Sequence, residues 1–118
     1  MDANALAAGV RHNGQVAIVD LSGQLDGSAE RTLDSAWEAV GDAPVVVLNF
    51  TDSTYINSTG IALIVGLLGR ARTENKKIRA FGLMDHYREI FSITRLSDFI
   101  EIHSDEAGAV GGLAANAK

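Results

Sequence analysis

Asn57-Ser58-Thr59-Gly60 lies between the β-branched run Val45–Phe50 and the apolar run Ile61–Leu68. Asparagine is a strong helix N-cap, so Ser58, Thr59 and Gly60 take the first three helical positions, where backbone N–H groups lack intrahelical partners. A hydroxyl there sits among positive partial charges, and phosphate on it is electrostatically favoured. A charge in the first turn gains about 0.3–1 kcal/mol when exposed, so phosphorylation of Ser58 leaves the helix formed. It also adds about 1.5 to 2 negative charges to the surface, beside Leu63 and within loop reach of Asp52. The same residues equally satisfy a plain capping turn, and the motif alone leaves both readings open.

Other chemistries fit poorly. A nucleophile elbow needs glycine where Ile56 stands, and no histidine is local enough to act as a base. Gly9 and Gly14 have P-loop separation, but Gln15-Val16 replaces the Lys-Ser/Thr pair, and no dinucleotide fingerprint follows a strand. Asp20, Asp26 and Asp52 are scattered as solvated loop or capping acids usually are. Cysteine is absent, which excludes disulfides, thiolate ligands and cysteine catalysis. His12, His86 and His103 lack paired-ligand spacing, so neither a metal site nor a cofactor is expected.

A formal net charge of -5 argues against duplex-DNA binding, and no direct nucleic-acid contact is expected. The basic residues cluster between Leu67 and Arg95, where a solvated helix end followed by a turn accounts for most of them. Met1-Asp2-Ala3-Asn4 has no signal-peptide character, and the run Ile61–Leu68 is far short of the roughly 20 residues that span a bilayer. A cytoplasmic protein without membrane insertion or catalytic activity is the expectation.

The elements that must position Ser58 follow from periodicity. The chain has 118 residues and 47% hydrophobic content, which suits a single domain over 1–118, with 111–118 a frayed tail. Ala5–Val10 and Gln15–Leu21 flank Arg11-His12-Asn13-Gly14, a hairpin signal. Gly23-Gln24-Leu25-Asp26-Gly27 breaks the pattern, and Leu33, Ala36, Trp37 and Val40 then recur at helical spacing. Val45–Phe50 reads as a central strand buried on both faces, Thr51–Ile56 as a loop, and Ser58–Thr73 as a helix. Ile78–Leu83 is a parallel neighbour of that central strand. A helix capped by Asp85 carries Tyr87, Ile90 and Phe91, Phe99–His103 is a last strand, and Ser104-Asp105-Glu106 opens a final helix. The order ββαβαβαβα gives an α/β fold, a mixed sheet of about five strands with about four helices. At 100° per residue, Ile61, Ile64, Val65, Leu68 and Arg72 share one helix sector, predicting the core stripe. Leu63 and Leu67 then fall on the opposite face and need a covering element or a partner.

Gly23-Gln24-Leu25-Asp26, the strand Val45–Phe50 and Tyr55-Ile56-Asn57-Ser58-Thr59-Gly60-Ile61 together resemble the STAS domains of bacterial anti-sigma-factor antagonists. In that family a G-x-L-D segment and a D-S-S/T-G-like turn recur at this spacing, and the likeness runs over nearly the whole chain. The resemblance implies a binding switch that engages an anti-sigma factor with serine kinase activity and frees a sigma factor. It implies Ser58 as the phosphoacceptor, with a serine phosphatase reversing the modification, and Asp26, Asn57, Thr59 and Gly60 as partner-binding residues, to which the outward apolar pair Leu63 and Leu67 read from the helix period is added. Asn57 departs from the pattern, since the family usually has a carboxylate beside the phosphoacceptor. An alternative within the same resemblance is a structural subunit of a transporter or stress-sensing assembly, without a phosphorylation cycle.

Overall fold

The computed structural model describes residues 5–111. Strands β1 (Ala7–Asn13) and β2 (Val16–Leu25) form the opening hairpin, followed by α1 (Glu30–Val40), β3 (Val45–Ile56), α2 (Ser58–Thr73), β4 (Lys77–Phe81), α3 (Asp85–Ile93), β5 (Ile100–His103) and α4 (Glu106–Val110). They make a five-stranded sheet in the order β1-β2-β3-β4-β5. β1 and β2 are antiparallel, and every later pair is parallel. The α/β order ββαβαβαβα is thus the observed one. The expected frayed tail lies, beyond Gly111, outside the described residues.

Alternation along the strands builds the two faces. Val19, Leu21, Val46, Leu48, Phe50, Ile78, Ala80 and Ile100 point to the face covered by α1, α2 and α3, where Leu33, Trp37, Ile64 and Phe91 complete the main core. Val16, Ile18, Val45, Val47 and Phe81 point the other way and are covered by Ala109 and Val110 of α4. β2 and β3 are therefore buried on both faces, as the unbroken apolar run at Val45 predicted. Trp37 is only 4% exposed, and its indole N–H donates to the Glu74 carboxylate at 3.1 and 3.2 Å.

Several boundaries differ from expectation. The hairpin loop is Gly14-Gln15, with Asn13 already paired to Val16. Gly14 has φ 65°, which a two-residue loop needs at its first central position, so the turn centres one residue later than Asn13-Gly14 suggests. Thr51–Ile56 is not a loop. It prolongs β3 against Ser22–Leu25 of β2, with register shifts after Asp20 and Gly23 that remove the simple alternation by which a strand is recognised. Asp85 is the first residue of α3 rather than its cap, because Met84 occupies the extended cap position without a side-chain bond.

Candidate functional site at the start of α2

α2 begins where the sequence places it. Asn57 is extended, and its side-chain oxygen accepts the Gly60 N–H at 2.8 Å, while its carbonyl accepts the Ile61 N–H at 2.9 Å. Ser58 and Thr59 are exposed, and the Ser58 hydroxyl has no hydrogen-bond partner among the described residues. A phosphoryl donor can reach that oxygen without displacing any internal contact.

The Asp26 turn is fastened to this helix start. At the end of β2 the Leu25 carbonyl accepts the Asn57 N–H at 3.2 Å. Gly60 packs directly on that carbonyl: an added Cβ would overlap the oxygen and lie 2.7 Å from Leu25 Cδ2. One turn away, a Cβ on Gly27 would lie 3.3 Å from Thr59 Cγ2. Asp26 caps the short 3₁₀ turn Gly27–Ala29, its Oδ1 accepting the Ser28 hydroxyl at 2.6 Å and the Ser28 N–H at 2.9 Å. Those two bonds, the hydroxyl's first, hold the Asp26 carboxyl below the usual carboxylate range. It is a fixed negative charge at neutral pH. The far side of the site is held by Tyr87, whose buried hydroxyl accepts the Ile56 N–H at 3.1 Å and satisfies the end of β3.

The structure therefore brings Asp26, Asn57, Ser58, Thr59 and Gly60 into one patch, with Gly60 buried beneath it and the other four at its surface. It redraws the helix faces. The buried positions of α2 are Gly60, Ile64, Leu67 and Ala71, while Val65 is 50% exposed. Leu67 is in the core at 5% exposure and cannot meet a partner in the folded protein, and Leu63 is half-buried against the same core. The displacement arises because two of the inward positions, Gly60 and Ala71, are small and invisible to a count of large apolar residues. Sequence reasoning also missed Ser28 and Tyr87. The first was legible as the Asp-x-Ser spacing of an Asx turn; the second bonds across the fold and left no local signal.

No group of histidine and acidic side chains suited to a metal occurs among the described residues. No helix there is long and apolar enough to cross a membrane.

A mixed sheet with its long helices on one face, and a capped helix start fastened to a G-x-L-D strand end, defines a STAS-type domain. The family model described as Mlab, STAS domain, matches residues 8–102, and the chain belongs to this family. The anti-sigma-B factor antagonist of Listeria monocytogenes is 32% identical over 88 residues, which cover 73% of this chain and 77% of the relative. Among solved structures, an anti-sigma factor antagonist from Mycobacterium paratuberculosis superposes with a TM-score of 0.80 at 17% identity, covering 95% of this chain and 97% of that one. The Bacillus cell fate determinant SpoIIAA in its phosphorylated form superposes with a TM-score of 0.66 at 16% identity, covering 86% of this chain and 96% of that one.

Proposed function

We propose that the chain is an anti-sigma-factor antagonist, a cytoplasmic, non-enzymatic switch that binds an anti-sigma factor with serine kinase activity and so releases a sigma factor. Docking uses the patch formed by Asp26, Asn57, Ser58 and Thr59. Phosphorylation of Ser58 ends it, and a serine phosphatase restores it. The observation that carries this reading is the Ser58 hydroxyl, exposed and free of internal bonds at a capped helix start, directly beside the ordered Asp26 turn. The relatives' names supply the kind of partner.

The switch needs no refolding. A phosphate on Ser58 is tolerated by the helix, whose remaining first-turn N–H groups face it. A partner surface fitted to a neutral hydroxyl must instead bury about 1.5 to 2 negative charges close to the fixed Asp26 carboxylate, which desolvation and like-charge repulsion oppose. Asn57 caps the helix as an acid would but adds no charge, so the phosphate meets less repulsion from within the chain.

The test is incubation of the protein with its cognate anti-sigma kinase and ATP, followed by mapping of the modified residue. Phosphate appears on Ser58, and Ser58→Ala takes up none. Full incorporation into Ser58→Ala would overturn the site. A second reading, a permanent interaction subunit without a phosphorylation cycle, is favoured by Asn57, because the neighbouring carboxylate usual in the switch proteins is missing. It predicts co-purification with transporter or stress-assembly subunits and no labelling of Ser58 by any adjacent kinase.

A further inference from the structure

The C-terminal half of α2 forms one wall of an open groove of about 920 Å³, whose other wall is the Thr94–Phe99 segment between α3 and β5. Its lining includes exposed apolar side chains: Val65 is 50% exposed, Phe99 is 68% exposed, and Leu68 is half-buried. The helix wall is smooth. A Cβ added at Gly69, which lines the groove, meets no atom within 4 Å, so nothing within the described chain requires glycine there. Glycine inside a helix is less favourable than alanine, and its structural use is to let another backbone come close.

The rim is positively charged in a protein whose net charge is -5. Arg72 and Lys77 are exposed and form no ion pair among the described residues. Their neighbours are already engaged. Arg95 holds Asp98 at 2.8 Å, Lys76 donates to the Gly41 and Ala43 carbonyls at 2.7 Å, and Glu101 is matched by Arg79 and His103 at 3.3 and 3.2 Å. An apolar floor beside two uncompensated cations and an unshielded glycine has a definite complement.

We propose that this groove docks an acidic amphipathic helix of a partner protein. Its apolar stripe covers Val65, Leu68 and Phe99, its backbone approaches over Gly69, and its carboxylates meet Arg72 and Lys77. This surface is separate from the phosphorylation patch. Along α2, Val65 lies about 10 Å and Arg72 about 21 Å from Ser58, at or beyond the roughly 8 Å over which physiological salt screens charge. Occupancy of the groove is therefore independent of the state of Ser58, and the proposal stands or fails apart from the function proposed above.

The experiment is an NMR titration of the ¹⁵N-labelled full chain with two synthetic helical peptides of about 15 residues. They share one leucine stripe and carry either glutamate or lysine along its flanks. The glutamate peptide is expected to saturate shifts at Val65, Gly69, Lys77 and Phe99, and to bind about tenfold more tightly than the lysine peptide. Arg72→Glu/Lys77→Glu weakens it about tenfold, and Ser58→Asp leaves it unchanged. Both groups of substitutions are on exposed positions, and the wild-type spectrum verifies folding of each variant. Equal affinity for the two peptides, shifts mapping outside the groove, or no binding of the glutamate peptide would overturn the proposal. So would peptide-free, concentration-dependent shifts at the same residues, which would mark a second copy, or preferential binding to anionic phosphatidylglycerol vesicles.

Discussion

The two ends of α2 use glycine in opposite ways. At the N-terminal end Gly60 is required by the chain itself, because only a residue without Cβ lets the helix start rest on the Leu25 carbonyl and so brings Ser58 beside the Asp26 turn. At the C-terminal end Gly66 and Gly69 face open space. One end is an internally fixed platform and the other an unfilled surface. A single helix thereby carries the exposed Ser58 hydroxyl on a fixed start and, well removed from it, a wall with open space above its glycines.

Substitutions along α2 separate the two ends by their effect on stability. Gly60→Ala places a methyl group inside the contact distance of a backbone oxygen that cannot move without shifting β2, and is expected to cost about 3 kcal/mol or more in urea unfolding. A cost below that of a surface substitution would show that the helix start floats free of the Leu25 segment. Leu67→Ala empties a core position and should cost about 3 kcal/mol, whereas Val65→Ala, half-exposed on the groove side, should cost less than about 1 kcal/mol. The reverse ranking would restore the helix face that hydrophobic periodicity alone suggests. Asn57→Ala removes the cap and should cost about 1 kcal/mol, while Asn57→Asp retains it. Gly66→Ala and Gly69→Ala should each raise stability, by up to about 1 kcal/mol, since propensity improves and nothing is displaced. A loss at either position would mean that the chain does pack there.

The smallest effect concerns pH. The Asp26 carboxyl is held below its unfolded value by the Ser28 hydroxyl and N–H, so its contribution is present above the unfolded carboxylate pKa and is lost as pH falls through the folded one. The urea midpoints of the wild type and Asp26→Asn should therefore differ most near neutral pH and converge in acid. A gap that stays constant down to pH of about 2 would contradict the turn geometry. Asp20, held low first by Arg11 and then by Asn49, loses its contribution with the same sign. Its pair with Arg11 at 2.6 Å is partly exposed and should count for no more than about 1 kcal/mol.

What could be read from the chain divides along the same line between local and distant causes. α2 spans Ser58–Thr73 as expected, because an N-cap, a first-turn hydroxyl pair and basic residues in the last turn are all signals carried by neighbours. The element order and the α1 stripe of Leu33, Ala36, Trp37 and Val40 were legible for the same reason. The end of β3 was not, since Thr51–Ile56 is strand only through bulged pairing with Ser22–Leu25, and its last N–H is satisfied by Tyr87, more than thirty residues away. The inward face of α2 was misread because Gly60 and Ala71 carry little hydrophobic signal, although Gly60 makes the closest approach in the site. The motif that marks Ser58 was visible; the contacts that give it a rigid floor were not.

In the function proposed above, charge on Ser58 controls docking. Calorimetric titration of the cognate anti-sigma factor into the unmodified protein and into Ser58→Asp measures it directly. The unmodified protein is expected to bind specifically, and the variant with an affinity lower by about tenfold or more, a loss of at least about 1.4 kcal/mol. Equal affinity for the two forms would contradict it.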